Sequence, residues 1–113
     1  MSQARAQHFR AFARRPSELL AQLAIGPREI QGRLVDLGLG GAGLIVPEAV
    51  QVGEQVHLVL HLPQLWDPLR IAAEVAWCET RDGNVNSRAG VRFVAPSGRV
   101  LRLVAEALSG IAS

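Results

Sequence analysis

Arg10 and Arg14 form an R-x-x-x-R box, and one apolar stretch and one turn later the chain reads Asp36-Leu37-Gly38-Leu39-Gly40-Gly41-Ala42-Gly43. A guanidinium is a planar fork of donors that grips a phosphate, or the O6/N7 edge of guanine, bidentately and stacks on a base. A carboxylate accepts from the N–H groups of a base's Watson–Crick edge, and glycines beside it leave the backbone bare for close approach. The combination describes a pocket for a ligand that is both anionic and rich in hydrogen-bond donors, as a guanine nucleotide is.

The rest of the chain has to bring these groups together. At 113 residues it makes one domain with one sizeable core. Its net charge of +2 makes it no polycation, yet residues 1–16 carry Arg5, Arg10, Arg14 and Arg15 and no acid. That composition reads as a flexible basic N-terminal arm holding the arginine box, ahead of a folded unit over 17–113. Cys78 is the single cysteine, which excludes a disulfide framework and a thiolate zinc cluster. The polar, arginine-rich N-terminus does not read as a signal peptide, and the longest apolar runs are too short for a bilayer. The expectation is a soluble, cytoplasmic protein.

Short elements follow one another. Residues 18–25 are apolar and closed by Gly26-Pro27, a strong turn dipeptide. Residues 29–37 alternate loosely, 38–43 read as a glycine turn, and Leu44-Ile45-Val46 stops at Pro47. A further strand is expected over 55–62, whereas 63–68, with a proline at each end, suits neither helix nor central strand. Ile71, Ala73, Val75 and Trp77 recur at period 2, Arg81-Asp82-Gly83-Asn84 signals a hairpin, and the return strand is expected over 89–95. From Ser97 the period becomes helical through Leu101, Val104, Ala105 and Leu108, with Ser97 as N-cap and Gly110 as stop. About six short strands and one terminal helix indicate a barrel or sandwich.

The glycine run also spells G-x-G-x-x-G, but a dinucleotide fold needs a long helix after it and an acid about twenty positions on. Pro47 and Gly53 leave no room for that βαβ unit. The chain instead resembles the PilZ domain, the bacterial receptor module for cyclic di-GMP, whose hallmark is R-x-x-x-R followed, after one hairpin strand, by [D/N]-x-S-x-x-G. Arg10 and Arg14 match the first box, and Asp36 and Gly41 match the ends of the second. Val75-Ala76-Trp77 and Gly90-Val91-Arg92-Phe93-Val94 look like the family's later strand pair, so the resemblance runs over residues 8–110.

The resemblance implies an all-β fold, a six-stranded antiparallel β-barrel with a C-terminal α-helix packed on it through Leu101, Val104 and Leu108. It also implies a receptor and adaptor rather than an enzyme, with cyclic di-GMP as ligand and no metal. The implied site comprises Arg10, Arg14 and Arg15 as guanidinium donors, Asp36 as acceptor, Gly38 and Gly41 as bare backbone, and Trp77. Gly41 is expected at positive φ, with the turn amides facing the ligand. Gly38 stands where the family has serine, which removes a hydroxyl hydrogen bond worth about 0.5–1.5 kcal/mol. Ligand is expected to draw the arm across the barrel and so regulate an unidentified protein partner in motility, type IV pilus, exopolysaccharide, biofilm or virulence control. A monomer or weak dimer fits this role. The alternative is a degenerate PilZ module that binds protein and no nucleotide.

The remaining candidates are weaker. By alternation Trp77 falls on the inward face with Val75 and Ala73, whereas in PilZ relatives an aromatic at this strand position can lie beside the ligand; at this level both placements stand. Cys78 is expected on the face opposite Trp77. Trp66 is expected to fold back onto the barrel end. His57 and His61 sit roughly 13 Å apart if both lie on one strand, too far to share a metal. Neither a catalytic triad nor a carboxylate pair emerges, and the strands lack the aromatic–basic interleaving of a nucleic-acid platform.

Overall fold

A computed structural model describes residues 15–16, 19–62, 65–80 and 86–112. Its elements are β1 (Arg15–Pro16), β2 (Leu20–Ile25), β3 (Arg28–Leu37), β4 (Gly41–Val46), β5 (Gln55–Leu60), β6 (Leu69–Thr80), β7 (Ser87–Phe93) and α1 (Gly98–Ala112). All pairings are antiparallel, in the order β3–β2–β5–β6–β7–β4, and β4 returns to β3. The sheet therefore closes on itself as a six-stranded barrel, which removes the exposed edges an open sheet would leave. Two-residue β1 continues the line of β2 along the same edge of β3, with Arg15 opposite Leu37 and Pro16 opposite Asp36.

Alternation of apolar residues fills the interior. Leu23, Leu34, Leu37, Leu44, Leu58 and Ile71 are all essentially inaccessible. The β2–β3 turn is made by Gly26 at φ 58°, a conformation that costs glycine little and most residues a good deal. The β6–β7 hairpin is in place, with Thr80 opposite Ser87 and their hydroxyls hydrogen-bonded at 2.7 Å. Its turn residues Arg81-Asp82-Gly83-Asn84 lie outside the described residues.

The helix begins as its sequence indicates. Ser97 Oγ accepts from the Val100 N–H at 3.2 Å, an N-cap satisfying the third backbone donor of the first turn. Replacing Ser97 with alanine is expected to lower stability by about 1 kcal/mol. In a domain of this size that is a fall in Tm of roughly 4–8 °C, readable in a thermal melt. The buried stripe consists of Val104, Ala107 and Leu108, flanked by Val100 and Leu103. It is rotated from the expected one: Leu101 lies beside this stripe and Ala105 is exposed. Gly110 does not end the helix, which runs to Ala112; a late glycine weakens a helix by about 1 kcal/mol without terminating it.

Two further expectations are corrected. The strand expected over 55–62 ends at Leu60, so His61 falls beyond it. Trp66 does not fold back and is fully exposed at 103%. Leu65 takes the inward place instead, half-buried against the core, with its N–H donating to the Leu62 carbonyl at 3.1 Å.

Candidate ligand-binding face

The glycine motif is built differently from a simple turn. Only 38–40 turn, and Gly41 and Gly43 are strand residues of β4, buried between β3 and β7. The Gly38 N–H donates to the Gly41 carbonyl and the Phe93 N–H to the Gly40 carbonyl, so this corner is tied to both neighbouring strands. Gly41 is not at positive φ: among the described residues those values occur at Gly26, Gly53 and Ala95. Strand pairing to Arg92 fixes Gly41 in extended conformation rather than in a left-handed turn.

Two irregularities in the ladder decide what faces outward. On β3, Leu34 pairs with Leu44 but Asp36 pairs with Gly43, a shift of one residue around Val35. On β6, Val75 pairs with Val91 but Trp77 pairs with Gly90, a shift around Ala76. Each bulge reverses the inward–outward phase of its strand. Past the bulges Leu37 and Cys78 turn to the core, and Asp36 and Trp77, which strict alternation would bury with Leu34 and Val75, turn outward. This corrects the inward placement of Trp77 that its period-2 spacing implies.

The result is one row across the outer face. Asp36, Gly43, Gly90 and Trp77 stand opposite one another on β3, β4, β7 and β6, with the backbone of Pro16 on β1 paired to Asp36. Paired residues on one face lie about 5 Å apart, so the two glycines form a narrow shelf with a carboxylate at one end and an indole at the other. A Cβ on Gly43 would sit 3.1 and 3.2 Å from the Asp36 carboxylate oxygens, and one on Gly90 would fall within the indole of Trp77. Both end groups thus lean in over bare backbone, and Asp36 Oδ1 and Trp77 Nε1 are buried there. The next outward row carries Gly41, Arg92 and Glu74, the last two joined as an ion pair.

A model of the PilZ domain family matches residues 5–110, nearly the whole chain. This chain belongs to the PilZ domain family. A comparison with curated protein sequences finds no match. Among solved structures, the PilZ domain of YcgR from Escherichia coli with c-di-GMP superposes with a TM-score of 0.73 at 22% identity, covering 88% of each chain. The Bacillus subtilis inhibitor of motility, MotI/DgrA, gives 0.72 at 14% identity, covering 88% of this chain and 49% of that one. The PilZ domain of CeSA from a cellulose-synthesizing bacterium gives 0.64 at 18% identity, covering 88% and 98%. At these identities the likeness is one of fold.

On the PilZ barrel, Asp36 and Trp77 lie at the two ends of one outer-face row, Gly41 lies in the next row, Gly38 opens the turn between β3 and β4, and the backbone of Arg15 pairs with Leu37 beside it. Arg10 and Arg14 lie outside the described residues. Gly43 and Gly90 are the residues that the two motifs do not mark. An isolated glycine within a strand pattern signals close backbone approach, and Gly90 ahead of Val91-Arg92-Phe93 carried that signal. Among the described residues no group of three His, Cys, Asp or Glu side chains could hold a metal, and no helix is long and apolar enough to cross a membrane.

Proposed function

We propose that this PilZ domain is a cytoplasmic receptor for cyclic di-GMP, bound on the outer face between the arginine box and the Asp36–Trp77 row. The observation that carries the reading is the pairing of β1 with β3. It brings the chain in beside Asp36 and the 38–40 turn, directly after Arg10 and Arg14 in sequence. Arg10, Arg14 and Arg15 supply cations for the phosphates and forks for guanine O6 and N7. Asp36 accepts from the base's N–H groups, while Gly38 and Gly41 let the ligand reach the backbone. Trp77 offers a ring for stacking. The PilZ structure of YcgR, which holds c-di-GMP, supports the ligand's identity.

The output is conformational. Ligand draws residues 8–16 onto the barrel, and because β1 touches α1, the change reaches the helix and presents a new surface to a protein partner. Motility, pilus, exopolysaccharide and biofilm control are the settings such an adaptor fits. Hydrogen exchange tests the mechanism: amides of 8–16 should gain protection when cyclic di-GMP is added, and unchanged exchange there would refute arm closure. Gly38, in the place of the family's serine, favours the second reading, a degenerate PilZ module that works through protein contacts alone.

A further inference from the structure

We propose that Gly90, which stands in neither motif, is a positioning residue that holds Trp77 as a platform on the outer face. The bulge around Ala76 turns Trp77 outward, but a turned-out tryptophan is not yet a placed one. Placement comes from the partner strand. A Cβ on Gly90 would overlap Nε1 of the indole and lie 2.5 Å from Cε2 and 2.8 Å from Cδ1. Real Cβ atoms do not approach ring atoms so closely, and the ring is rigid, so the pyrrole side of the indole occupies the volume any other residue would fill. The neighbours Ala89 and Val91 point into the core, which fixes Gly90 outward and leaves that volume on the ligand face.

The indole is thereby pinned by its polar edge. Nε1 is buried over Gly90, next to the Gly43 position over which the Asp36 carboxylate leans, while Trp77 as a whole stays half-buried and keeps surface open to solvent. Gly90 therefore sets both the height and the rotation of the ring relative to Asp36. Its part in nucleotide binding rests on the function proposed above; its hold on Trp77 does not.

The test separates these. In a Trp66→Phe background Trp77 is the only tryptophan. Gly90→Ala in that background, without ligand, is expected to shift Trp77 emission to the red and raise its quenching by iodide; an unchanged spectrum and unchanged quenching would overturn the proposal. If Gly90→Ala alone does not fold, Trp77→Ala/Gly90→Ala should recover cooperative unfolding, because the volume is then free, and failure of the double variant to fold would count against it equally. With cyclic di-GMP, Gly90→Ala and Trp77→Ala should weaken binding by similar factors, and the double variant by no more than either. Multiplicative losses would show that Gly90 does not act through Trp77. Where the parent itself binds no nucleotide, the receptor reading fails and the ligand-free spectra alone decide the role of Gly90.

Discussion

Alanine in place of Arg14 is expected to weaken cyclic di-GMP binding by about 1–3 kcal/mol, the scale of a bidentate arginine–guanine contact. That is roughly a 5- to 150-fold rise in Kd. Arg10→Ala should act on the same scale, with the pair falling short of strict additivity if both grip one nucleotide. The direction follows from the chain's path: β1 joins β3 opposite Leu37 and Asp36, beside the 38–40 turn. Thermal melts of both variants without ligand are expected to match the parent. Equal affinity in parent and variants would remove the arginine box from the site.

Leu58→Ala should produce the largest loss of stability and leave the proposed ligand face alone. Leu58 is fully buried on β5, between β2 and β6, and belongs to the central cluster. Truncating a buried leucine costs about 2–5 kcal/mol, made up of lost transfer energy and the cavity left behind. For a domain of about this length each kcal/mol lowers Tm by roughly 4–8 °C. Chemical denaturation should show the loss as a lower midpoint at unchanged slope. Binding measured at a temperature where the variant is still folded should equal the parent's, because the Asp36–Trp77 row uses β1, β3, β4, β7 and β6 and not β5.

Much of the barrel was legible because period-2 apolar patterning and glycine–proline punctuation are local signals. Ser97 showed the helix start for the same reason, through a side chain acting on a backbone three residues away. The bulges around Val35 and Ala76 were not legible. Each depends on how a strand meets its neighbour, and Val75 and Trp77 look alike in a one-strand pattern although one faces the core and the other the outer face. The same limit explains Gly41. Glycines at 38, 40, 41 and 43 read as a turn, yet the last two are strand residues of β4, and Gly43 leaves room for the Asp36 carboxylate, a demand set by pairing with β3 and β7. Trp66 failed for the opposite reason: a general preference to bury aromatic area gave way to Leu65, which reaches the core from the neighbouring position.

Calorimetric titration of the whole chain with cyclic di-GMP reads the receptor function most directly. Saturable heat with a stoichiometry of one or two nucleotides per protein, lost or sharply weakened on Arg14→Ala, is the predicted result. Absence of heat up to high micromolar nucleotide, with the protein folded, would contradict it and leave the degenerate interaction module, with Gly38 as the first residue to examine.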